Sequence, residues 1–283
     1  MVLESLINPI KAENHPVAAM WLGFLYSTVA LFLSLWIFRD QASLVMVFLT
    51  VMACIPLVYN TIKLEELKDL KIEKESILIK EHGKAIAFFM FLFFGFTLAF
   101  ALWYTVLPSE ILHSAFSTQT QTISSLNSQV TGNAFMKFGA FNRILFNNLK
   151  VLIFCILFAF LYGVGAIFIL AWNASVIGVA IGNFIRSNLG AYAEAAHLVK
   201  IGSYLHVISL GLLRYSIHGI PEIMAYFVAG LAGGIISIAV IRHDMGTEKF
   251  EHIVLDSSEL IVISLIFVFL AAFLEVYVTP ILF

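Results

Sequence analysis

Apolar residues run along this chain in long blocks, interrupted by short polar breaks instead of the alternation of a half-buried strand. A helix needs about 20 apolar residues to cross a hydrocarbon core. Val17–Phe38 and Leu44–Tyr59 form a first pair, turned at Arg39-Asp40. Ala85–Leu107 is a third span and Val151–Trp172 a fourth. Ala174–Ile185 is short unless it continues through Arg186 to Leu189, and Ile220–Ile241 and Glu259–Val278 are full length. The expected fold class is therefore all-α, a polytopic transmembrane bundle of about seven spans.

Between the fifth and sixth spans, Ser203–Ile217 is apolar but too short to cross, so a re-entrant or interfacial helix is expected before span six. It should end at His218-Gly219-Ile220-Pro221-Glu222, where Gly219 permits a break and Pro221 suits a first helical turn. Upstream of span four, Phe135, Phe138, Phe141, Leu145 and Leu149 recur every three or four residues, the pattern of an amphipathic helix in the interface. The preceding stretch, Ser117 to Asn133, is rich in Ser, Thr, Gln and Asn and reads as an exposed loop or a modest platform.

Composition strengthens this picture. Hydrophobic residues make up 61% of the chain and charged residues 12%, and the mean hydropathy is +0.97. Soluble domains carry about 25% charged residues, so this chain has too little polar surface for a water-facing globule. With a net charge of −2, nothing in the composition points to nucleic acid or a strongly acidic partner. Cys54 and Cys155 lie in apolar runs and read as fillers.

Orientation follows the lysines. Lys63, Lys68, Lys71, Lys74, Lys80 and Lys84 crowd one inter-span segment, which is expected in the cytoplasm as a solvated charged helix extending spans two and three. Alternation then puts the amino terminus in the cytoplasm of a multi-pass cell-membrane protein. The expected division is a two-helix membrane hairpin over 1–60, a charged segment over 61–84, and a membrane core over 85–283 with an outer loop at 108–148.

Four stretches carry a family resemblance: Asn147-Asn148 before span four; Gly163-Val164-Gly165 leading to Trp172-Asn173-Ala174; His218-Gly219-Ile220-Pro221-Glu222 continuing to Gly230 and Gly233-Gly234; and Phe273-Leu274-Glu275-Val276-Tyr277-Val278-Thr279-Pro280. In this order, over about Ala85 to Phe283, they resemble the stage II sporulation protein M family. The resemblance implies a membrane location and a helical core. The family's namesake looks like a scaffold that recruits peptidoglycan-remodelling enzymes, a role that transfers poorly to relatives outside spore formers.

The ionisable residues supply the candidate chemistry, because charge inside a membrane is unfavourable and usually faces the bundle interior. Asn147, Asn148, His218, Glu222 and Glu275 are expected at one depth, in the outer half of the membrane, as a polar cluster. Three readings stay open: a structural network, a proton, ion or small-solute site at a discontinuous helix, or a divalent metal site (zinc or manganese) on His218, Glu222 and Glu275. Glu194 and His197 form a further pair three residues apart. No H-E-x-x-H, G-x-S-x-G or phosphate-loop motif is present, and no catalytic residue is assigned. Gly178 with Gly182, and Gly230 with Gly234, have the spacing of close helix packing, within one bundle or at a homodimer seam. The leading expectation is a non-enzymatic scaffold or assembly platform. Its expected partners are the lipid bilayer, a second copy and other membrane or cell-surface proteins. A transporter or channel is the alternative, and a metal-dependent intramembrane enzyme comes third.

Overall fold

Gly163 adopts φ +67°, a left-handed conformation that side chains with a Cβ enter at a cost of roughly 1–2 kcal/mol, and it turns the chain sharply inside what reads as one apolar run. The computed structural model describes residues 15–72, 74–127, 135–190, 197–242 and 246–282. Every regular element among them is helical: α1 (Pro16–Ile37), a 3-10 turn (Arg39–Gln41), α2 (Ala42–Asp69), α3 (Glu75–Val106), α4 (Ser109–Ala115), α5 (Ser117–Asn127), α6 (Phe135–Tyr162), α7 (Ala166–Gly190), α8 (His197–Ile241), α9 (Glu248–Phe273), a π turn (Leu274–Val278) and α10 (Thr279–Leu282). Seven stretches are long and apolar enough to cross a membrane: Pro16–Ile37, Arg39–Asp69, Ile77–Val106, Lys137–Tyr162, Ala166–Asn188, Tyr215–Ile241 and Glu248–Leu282. The protein is an all-α, multi-pass membrane bundle.

Several boundaries differ from the sequence expectation. The break at Gly163–Gly165 ends span four at Tyr162 and gives Trp172 to span five, so Val151–Trp172 is not one crossing. Span five is correspondingly full length. The amphipathic run Phe135–Leu149 is not a separate interfacial helix but the first half of α6. No break occurs at His218–Glu222 either: α8 is one helix of 45 residues, about 68 Å long, with Ser203–Ile217 and Pro221 inside it. Proline removes one backbone donor, and neighbouring helices compensate for that in membranes. Part of the expected outer loop forms α4 and α5; residues 128–134 lie outside the described residues. Replacing Gly163 by Val should lower the apparent Tm in detergent by a few degrees, read by circular dichroism, because a β-branched residue is strained at this φ.

Glycines set the closest helix contacts. A Cβ on Gly178 would meet Phe100 Cβ at 2.7 Å, and one on Gly182 would meet Tyr104 Cβ at 2.8 Å, so this pair seats α7 on α3. A Cβ on Gly230 would meet that of Ala166 at 2.9 Å; on Gly234 it would meet Ile62 Cγ2 at 2.9 Å and the Gly163 carbonyl oxygen at 3.1 Å. Those contacts put Ile62, Gly234 and the α6–α7 turn at one level. Beyond it α2 continues to Asp69 and α8 to Ile241, each by seven residues or about 10 Å. The lysine-rich ends of α2 and α3 therefore stand beyond the slab spanned by α6 and α7. The front hairpin is seated equally tightly, since Gly23 and Gly95 bring the backbones of α1 and α3 into direct contact.

Candidate functional site

Glu222 lies twelve residues, about 18 Å, along α8 from Gly234, which puts it in the half of the membrane away from the lysine-rich end. Tyr226, one turn further along and fully buried, donates its hydroxyl to Glu222 Oε1 at 2.8 Å. Glu275 comes from the π turn after α9 and lies within electrostatic reach of Glu222. A π turn inserts an extra residue per turn and frequently marks a functional position. Here Thr279 Oγ1 closes it by donating to the Leu274 carbonyl at 3.1 Å. His218 Nδ1 sits 3.3 Å from the same hydroxyl, and since that hydroxyl's proton goes to Leu274, the ring nitrogen is the donor. Neither Glu222 nor Glu275 meets a Lys or Arg among the described residues.

The two asparagines part company. Asn148 is buried on the face of α6 that also buries Leu152, Cys155 and Ala159, and its amide nitrogen finds no hydrogen-bond partner among the described residues. Asn147 is exposed on the outer surface of α6. The helices thus place Glu222 and Glu275 within electrostatic reach, turn His218 toward Thr279, and leave Asn147 outside. No group of three His, Cys, Asp or Glu among the described residues is arranged to hold a metal ion, so the expected metal set does not assemble as a triad. Glu194 lies outside the described residues, as does the side chain of His197.

A second polar site escapes the sequence reading. At the lysine-rich end, His82 is sandwiched between two carboxylates of α2, with Nδ1 2.8 Å from Glu65 Oε2 and Nε2 2.9 Å from Asp69 Oδ1. Lys68 reaches Glu65 Oε1, and Arg242 reaches Glu66 Oε2 at 2.7 Å. Glu65 and Glu66 are 0% exposed and His82 is 2% exposed, so part of the expected solvated face is a packed ionic core, while Lys63, Lys71, Lys74 and Lys80 stay exposed. A neutral imidazole has one N–H, so two ionised carboxylates require the doubly protonated ring. His252 pairs with Asp256 at 2.9 Å on α9, beside this core. The missed signal is periodicity: the buried stripe Val51, Cys54, Val58, Ile62 continues without a change of spacing into Glu65 and Asp69, and on α3 Phe89 and Ala85 continue into His82 and Leu78.

The profile of the family described as Stage II sporulation protein M matches residues 86–280. An uncharacterized protein of Methanocaldococcus jannaschii is 30% identical over 143 residues, covering 50% of this chain and 71% of the relative. No solved structure matches the chain.

Proposed function

The chain belongs to the stage II sporulation protein M family, and from that premise we propose that it is a membrane transporter or channel that takes up a proton or small cation between Glu222 and Glu275. The observation carrying this reading is that two carboxylates in the far half of the membrane lie within electrostatic reach of one another, with no Lys or Arg on either among the described residues. Like charges close together in a low dielectric repel strongly, and a bound proton or cation relieves that repulsion. The π turn that carries Glu275 and the Tyr226 hydroxyl that donates to Glu222 support a built, polar site. In this reading the lysine-rich end faces the cytoplasm, and the amino terminus lies on the same side.

The test is flux into proteoliposomes carrying a trapped pH dye or a cation indicator. Wild type should support flux above empty vesicles; Glu222→Gln and Glu275→Gln should each reduce it at least tenfold while eluting as folded protein. Equal flux in wild type, both variants and empty vesicles would sink the reading.

A scaffold is the second reading, favoured by one feature. Helices α4 and α5 stand between spans and line an open recess of about 550 Å³ with Tyr104, Ser109, Leu112, His113, Ser117 and Gln121, a mixed apolar and polar surface suited to a protein partner. Photo-crosslinking from Ser117 or Gln121 in membranes should then give discrete products of higher mass, and a blank lane would count against it.

A further inference from the structure

Helix α6 is the least covered crossing, with 22% of its central window buried. Its uncovered side is not uniformly apolar. Arg143, Asn147 and Lys150 are exposed and follow one another at spacings of four and three. The same stripe continues through Phe154, Leu157 and Leu161, which are 51%, 43% and 56% exposed. One face of one helix is therefore basic and polar toward its start and wholly apolar toward Gly163.

Depth makes this arrangement informative. Lys150 stands twelve residues from Tyr162, about 18 Å above the α6–α7 turn, and therefore about 12 Å inside the far edge of a hydrocarbon core about 30 Å thick. A lysine at that depth is unfavourable on its own, and its long stem lets it reach toward the headgroups. Lys150 has no ion pair among the described residues. A second copy related by an axis along the membrane normal would present the same depth, hence another Lys150. No exposed Asp or Glu among the described residues lies there: Asp40 and Glu110 sit at the helix ends, and Glu248, Glu251 and Glu259 lie toward the opposite side. Among the described residues no carboxylate is placed to meet Lys150, and a ligand's anion would do so.

We propose that this stripe is a binding site for an anionic phospholipid, whose phosphate is drawn down to Lys150, Asn147 and Arg143 while one acyl chain lies along Phe154, Leu157 and Leu161. Charge complementarity selects the headgroup, and the apolar continuation requires a ligand with a chain, so free phosphate satisfies only half of the stripe. The site is independent of Glu222 and Glu275, which lie on α8 and the π turn.

Native mass spectrometry of protein released from nanodiscs tests it, comparing phosphatidylglycerol with phosphatidylcholine of the same chain length. One phosphatidylglycerol should remain bound at collision energies that strip phosphatidylcholine. Lys150→Gln and Arg143→Gln should each weaken retention about fivefold, the effect expected for one basic residue at a membrane surface, and Lys150→Arg should keep it. Lys63→Gln, at the other end of the molecule, should change nothing. Equal retention of both lipids, or retention unaffected by Lys150→Gln, overturns the proposal. So does a change from dimer to monomer in Lys150→Gln without a change in lipid retention, which would make the stripe a contact between copies.

Discussion

Substituting His82 by Ala should lower the apparent Tm of the detergent-solubilised protein by about 10 °C and reduce the folded yield. The imidazole touches Glu65 and Asp69 at 2.8 and 2.9 Å, and all three side chains are almost fully buried. Removing one member of a buried charged set leaves the others without compensation, at a cost of about 3–5 kcal/mol, and proteins of this size lose roughly 2–4 °C of Tm per kcal/mol. A second substitution distinguishes lost charge balance from a lost ring: adding Glu65→Gln to His82→Ala should recover part of the stability, because the remaining buried charge is then smaller. No recovery would mean that His82 matters for its volume. Thermal scans of the wild type, both single variants and the double variant complete the cycle.

Gly95→Val should undock the first helix. A Cβ at Gly95 would run into the Met20 carbonyl oxygen and approach the Phe24 amide nitrogen at 2.8 Å; these are backbone atoms that no rotamer change can move aside. Gly23 faces the reciprocal problem, with the Leu92 carbonyl oxygen 2.5 Å from its Cβ position. Packing through small residues supplies much of helix association in membranes, so separating α1 from α3 removes most of the contact between them. Trp103 reports the event directly. Its Nε1 donates to Thr28 Oγ1 at 3.1 Å, and Phe32 stands edge-on to its ring at 4.7 Å. The variant should change Trp103 emission and sensitise the amino-terminal helix to protease. An unchanged spectrum and digestion pattern would contradict the contact.

The membrane class and the number of crossings were legible because uncharged runs of about 20 residues have few other uses. Boundaries were less legible wherever a backbone event left no mark on hydropathy. Gly163 turns the chain within a continuous apolar run, and its flanks, Tyr162 and Val164, are as apolar as a helix interior. Pro221 misled in the other direction, because a proline that ends a helix in water can sit inside one when its neighbours are other helices. Of the candidate site, the shared depth of Glu222 and Glu275 is legible in their span positions, and in the fold the charge of Glu222 acts on Glu275. His218 and Asn147 could not be assigned in the same way, since depth says nothing about which way a side chain turns around its helix. The ionic core at Glu65, Asp69 and His82 was hidden by its composition: interleaved Glu and Lys normally describe a wetted surface, and here the apolar stripe simply continues into them.

Glu222 and Arg242 belong to the same continuous stretch, with one at the carboxylate pair and the other, just past the end of α8, gripping Glu66. Twenty residues, about 30 Å, separate them. A rod of that length behaves as a moment arm: tilting it by about 5° around its middle displaces each end by more than 1 Å, enough to stretch a hydrogen bond at 2.7 Å out of useful geometry. The far half of the membrane and the lysine-rich end are therefore mechanically tied through α8. Any tilt that shifts Glu222 is felt at Arg242, and the strength of the Arg242–Glu66 grip limits how far the carboxylate end can move.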